Sequence, residues 1–160
     1  MCFAAISLLF TSCEEDNAPM QKRAFACFRF MSSQKHAPLK FTAPLTVTAT
    51  AYVNGPDTVE VIKDQGDLDQ LMLPLSFSDS TVYAIHYPRV EGAARGVVDT
   101  ICVRHQPVPY VGKIDWGMMM FYKVESISYS SNALDSIKIV NRNINNEEKV
   151  NFNIYYTVAE

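Results

Sequence analysis

A chain of 160 residues with 14 Lys or Arg against 17 Asp or Glu carries a formal charge of −3. That excludes a nucleic-acid binder working through bulk charge, which needs a clear basic excess. An apolar fraction of 48% with 19% charged residues fits a chain folded around a core and excludes a disordered one. Val, Ile, Thr, Tyr, Phe and Trp supply about a third of the residues and tilt the class toward β. One domain is expected at this length.

Met1 to Phe10 is apolar and uncharged, about half the roughly 20 residues that a membrane-spanning helix needs. Its length suits the apolar middle of a secretory signal, but the positively charged start is missing, so translation is expected to begin further upstream. The run ends Leu9-Phe10-Thr11-Ser12-Cys13, which resembles the lipobox of bacterial lipoproteins. There, small residues precede a Cys that is lipidated and becomes the new N-terminus; Phe10 stands where the motif prefers Leu. Residues 1–12 are thus expected to be a signal peptide, with Cys13 as the lipidation site. Glu14-Glu15-Asp16-Asn17 and Ala18-Pro19 make residues 13–23 a tether. The competing reading folds residues 1–13 into a buried strand or short helix. Acidic residues directly after the Cys resemble the surface-export signal of Bacteroidetes lipoproteins. That resemblance implies an outer-membrane lipoprotein, on the cell surface or the periplasmic face, whose first partner is the membrane through its anchor.

Cys2 leaves with the signal and Cys13 carries lipid, so the mature domain keeps Cys27 and Cys102. An exporting compartment permits a disulfide between them. Closing so long a loop would stabilise the fold by about 4.5 kcal/mol in the chain-entropy account. Two separate buried thiols are the other reading, and both stay open because sequence fixes no Cα distance.

Taken in chain order, strands are expected over residues 25–31, 45–53, 58–63, 71–76, 81–87, 97–105, 119–129, 134–140 and 150–158. The second is the clearest: Leu45, Val47, Ala49, Ala51 and Val53 alternate with Thr46, Thr48, Thr50 and Tyr52, one face buried and one wet. The last repeats the pattern, with Val150, Phe152, Ile154, Tyr156 and Val158 against Asn151, Asn153, Tyr155 and Thr157. Asn54-Gly55-Pro56-Asp57, Asp64 to Asp67, Ser78-Asp79-Ser80, Pro88 to Gly96 and Ser130-Ser131-Asn132 supply the turns between strands. Short strands without a helix of three turns predict an all-β, antiparallel β-sandwich of about eight strands, immunoglobulin-like, over residues 24–160.

Several stretches together resemble an uncharacterised Bacteroidetes lipoprotein family known as a domain of unknown function. They are Cys13, Ala26-Cys27-Phe28-Arg29-Phe30, Leu73-Pro74-Leu75 with Asp79-Ser80-Thr81, Phe121 to Glu125, Leu134 to Asn141, and Asn151 to Tyr156. The resemblance implies the address and the fold and brings no activity. Trp116-Gly117 stands where relatives carry Cys-Gly, which leaves Cys102 as the partner available to Cys27.

No catalytic set stands out. A Gly-x-Ser-x-Gly elbow is absent, and His36, His86 and His105 stand in no metal spacing. His86 and His105 are expected at the surface or a sheet edge. Asp64, Asp67 and Asp69 around Gly66 lack the ordered spacing of a calcium loop and read as a hydrated turn. Met118-Met119-Met120 cannot all face one soft metal from a strand. The remaining candidate is residues 106–117, expected as a long loop carrying Tyr110 and the sole Trp, Trp116. Exposed, these rings would stack on a sugar or anchor a protein; buried, they would cap the core. The sequence therefore predicts a non-catalytic envelope lipoprotein without cofactor, metal or nucleic acid, contacting another envelope component, either a protein or a glycan.

Overall fold

The computed structural model describes residues 23–50, 58–88, 96–112 and 117–157. The expected signal peptide, Cys13, all of the tether but Arg23, Trp116 and Val158 lie outside the described residues. Ten strands form: Phe25–Ser32 (β1), Leu45–Thr50 (β2), Thr58–Gln65 (β3), Gln70–Pro74 (β4), Ser80–His86 (β5), Val98–Val111 (β6), Met118–Tyr129 (β7), Ser136–Ile139 (β8), Asn143–Ile144 (β9) and Phe152–Tyr156 (β10). They make two sheets, ordered β4-β1-β10-β8 and β3-β2-β5-β6-β7-β9. The protein is an all-β sandwich, as expected, with ten strands among the described residues in place of about eight; β9, only two residues long, is too short to show an alternation.

Among the described residues every strand pair but one is antiparallel. β1 and β10 run parallel, with Phe28 beside Phe152 and Phe30 beside Ile154. A parallel pair needs a long crossover, and the first and last strands have the rest of the domain as theirs. Because β1 lies between β4 and β10, the N-terminal strand is central to its sheet.

Alternation fills the space between the sheets. Leu45 and Val47, Tyr83 and Ile85, Ile101 and Val103, and Phe152 and Ile154 are fully buried at every second position. Phe28 stacks on Phe152 at 4.5 Å and meets Tyr83 of the opposite sheet edge-on at 5.8 Å. Such ring pairs add about 0.5–1.5 kcal/mol each beyond the area they bury.

Asn151 departs from the expected wet face: it is only 2% exposed. It precedes β10, and its side chain closes three backbone valences. Its Oδ1 accepts the Cys27 N–H at 3.0 Å, and its Nδ2 donates to the carbonyls of Asn141 and Asn143.

Of the two mature-domain thiols, Cys27 is buried and Cys102 only half-buried. Both are free. Cys27 falls between core-facing Ala26 and Phe28, so it points off the outer side of its sheet. Cys102, between buried Ile101 and Val103, points off the outer side of the other. Sheets packed about 10 Å apart hold such thiols beyond bonding reach.

Candidate functional site

The largest departure from sequence expectation is the segment foreseen as a long loop. β6 continues to Val111 and pairs with β7 down to Val111 opposite Met118. β5 stops pairing at Ser80 opposite Arg104, so residues 105–111 and 118–124 project past it; β9 flanks β7 at Tyr122 and Lys123, and beyond them the two strands run on as an arm. Pro107 and Pro109, which signal a loop, are tolerated for a geometric reason. The His105 N–H points toward β5, donating to the Asp79 carbonyl at 2.8 Å. Period two then aims the nitrogens of Pro107 and Pro109 at the same edge, where no further strand follows among the described residues. The ladder to β7 loses no hydrogen bond, and the bare edge offers fewer donors to a foreign strand.

The two faces of the arm differ. Tyr110 is 44% exposed and stacks on Phe121, centroids 4.7 Å apart and planes 19° apart, with exposed Val108 beside them. Tyr110 therefore neither caps the core nor sits in a loop; it stands on a strand with one ring face covered. Met118, Met120 and Tyr122 alternate along the inner face of β7 and overhang the start of β1.

Beneath that overhang lies an apolar groove of about 400 Å³ lined by Arg23, Phe25, Leu75, Phe77, Met118 and Met120, among others. Two tyrosines pin its wall: Tyr83 donates to the Pro74 carbonyl at 2.8 Å and Tyr122 to that of Leu75 at 3.4 Å. Burial pushes both phenols up, so they remain protonated donors. Phe77 stands 75% exposed at the rim and Met118 70%. The lining carries one cation and no carboxylate.

His105, expected at an edge, is instead 1% exposed. Its Nε2 lies 2.8 Å from Thr81 Oγ1, and its ring meets Tyr122 edge-on at 5.1 Å. Thr81 Oγ1 accepts the Ser76 N–H and donates to Ser76 Oγ, so the consistent tautomer has Nε2–H donating to Thr81. Nδ1 then keeps an unpaired lone pair. Burial depresses the imidazole pKa, against the nearby charges of Asp79 and Glu125.

Sequence reasoning missed Asp99, which is fully buried. Its carboxylate accepts Ser130 Oγ at 2.8 Å and the N–H groups of Asn132, Ala133 and Leu134 at 2.7–2.9 Å. Burial alone would raise its pKa, but these four donors outweigh that and hold it below the usual carboxylate value. The signal available was an acidic residue at an inward-facing position of a strand, in phase with Ile101 and Val103.

The acidic turn binds protein groups. Asp64 accepts Thr46 Oγ1 at 3.1 Å, and Asp67 pairs with Lys40 at 3.3 Å. No group of three His, Cys, Asp or Glu among the described residues comes together to hold a metal.

Two packed sheets, an arm with prolines on its edge and a groove lined by Arg23 at the first described residues define an all-β sandwich. The family of unknown function DUF6452 matches residues 44–156, more than half of the chain, and the chain belongs to that family. The match starts just before β2 and leaves out β1, although β1 completes the sheet between β4 and β10. No curated protein and no solved structure matches the chain.

Proposed function

We propose that the chain is a lipid-anchored, non-catalytic outer-membrane lipoprotein of Bacteroidetes type that works by holding another envelope protein along the outer face of the β6–β7 arm. Leu9 to Cys13 followed by Glu14, Glu15 and Asp16 supports the anchor. The observation that carries the contact role is the Tyr110–Phe121 stack beside exposed Val108. Rigid aromatic anchors on a projecting strand pair give contact area at low entropic cost.

With a start that supplies a charged leader, wild type should take up labelled palmitate and Cys13→Ala should not. A photo-crosslinking residue at Val108 should trap a discrete protein in living cells, and one at Lys35 should not; Tyr110→Ala should abolish the Val108 adduct. A saturable change in Trp fluorescence across a glycan panel, with no adduct at Val108, would replace the protein partner with a sugar.

A further inference from the structure

We propose that the groove end of the sandwich docks on a lipid bilayer, with Phe77 and Met118 entering the headgroup boundary and Arg23 meeting lipid phosphate. The inference builds on the anchored reading and names a second contact of the same domain. Phe77, Met118 and Val111 are 75%, 70% and 62% exposed. Phe77 and Met118 line one groove, and Val111 stands in register with Met118. An apolar cluster of this kind on a water-facing end marks an interaction surface.

Where the chain enters the fold selects the membrane as occupant. Arg23, the first described residue, lines the groove. The ten residues from Cys13 to Arg23 span at most about 36 Å, so of the two ends of the sandwich this one is the nearer to a lipid on Cys13. The opposite end, at the Ser33–Asp135 hydrogen bond, lies a further eight strand residues along β1, about 26 Å away. Charge agrees: the whole chain is net negative, yet the groove lining carries Arg23 and no carboxylate, which suits an anionic lipid surface.

The test is positional. The full chain with Phe77→Trp or Lys35→Trp is placed with vesicles of phosphatidylethanolamine and phosphatidylglycerol, with and without brominated acyl chains that quench indole on contact. Bromolipid should remove most of the fluorescence that Phe77→Trp adds over wild type and leave that added by Lys35→Trp unchanged. The same selectivity should persist in a Cys13→Ala background at higher lipid concentration. Palmitate labelling of the Phe77→Trp chain reads the anchor separately. A labelled chain quenched at neither position, or equally at both, overturns the docking; an unlabelled chain with selective quenching in both backgrounds overturns the anchor and keeps the docking.

Discussion

The Asp99 carboxylate accepts the backbone N–H of Leu134 at 2.9 Å, tying β6 to the connection between β7 and β8. Three more donors from Ser130, Asn132 and Ala133 converge on the same two oxygens, so one side chain organises a turn that has no regular structure of its own. Asp99→Asn places an amide N–H₂ among these donors. It should cost about 2–4 kcal/mol, since bonds to a charged acceptor are worth about 1.5–3 kcal/mol and the abandoned donors stay partly buried. Because the folded pKa lies below the ordinary 3.8, the carboxylate's contribution is fully present above that value and is lost as pH falls through the folded value. Urea titration at neutral pH should show the full gap between wild type and Asp99→Asn, and the gap should narrow toward about pH 3. A gap independent of pH would mean that the charge is not what the turn uses.

His105 titrates in a milder range. Its folded pKa is depressed below 6.5 by burial, so the unfolded chain binds the proton more readily. Stability is fully present above pH 6.5 and declines as pH drops from there toward the folded value. His105→Leu, close in size and without a charge to bury, should remove that decline. Its own cost at about pH 7.5 comes from the lost Thr81 hydrogen bond, about 1 kcal/mol. Denaturation midpoints at about pH 7.5 and about pH 5.5 decide it: wild type should fall between them and His105→Leu should not. Equal declines would place the titration elsewhere.

The C-terminal strand tests the core. Phe152 is fully buried and stacked on Phe28 of the neighbouring strand. Phe152→Ala should cost about 3–5 kcal/mol, a large part of a domain's total of about 5–15 kcal/mol. Asn153→Ala, on the outward side of the same strand, should stay within about 0.5 kcal/mol. Similar losses from both would show that the two faces are not distinguished by packing.

What sequence could reveal divides along physical lines. Alternation is a local signal, so the buried faces of β2 and β10 were legible at Leu45, Val47, Phe152 and Ile154. The arm was not, because Pro107 and Pro109 are read as breakers unless it is known that β5 ends at Ser80 and leaves their nitrogens facing an empty edge. Asn151, Asp99 and His105 were misplaced or missed for a shared reason. Each is a polar residue in the interior, and its partners, Cys27, Leu134 and Thr81, lie 24 to 124 residues away in sequence. Alternation puts Asp99 and His105 in phase with Ile101 and Val103, but polarity argues for the surface as long as nothing local shows that the hydrogen bonds are met. The apolar groove was equally hidden, since Phe77, Met118 and Arg23 reach one end only through the fold.

The two cysteines differ in a way that chemistry can read directly. Cys27 is fully buried, its Sγ 3.5 Å from Gln70 Oε1. Burial pushes its pKa up, with Arg29 opposing and Asp69 and Glu148 adding to the rise. The thiolate is the reacting form, so Cys27 has both little thiolate and little access. Cys102 is half-buried on the outer side of the other sheet. Iodoacetamide applied to the native protein should therefore label Cys102 at least about tenfold faster than Cys27. After denaturation without reductant, peptide mass spectrometry should find both alkylated, and reductant should leave the melting temperature of the untreated protein unchanged. A peptide pair linked through Cys27 and Cys102, or a melting temperature that falls by several degrees on reduction, would show that the sheets pack so as to bring these two thiols together.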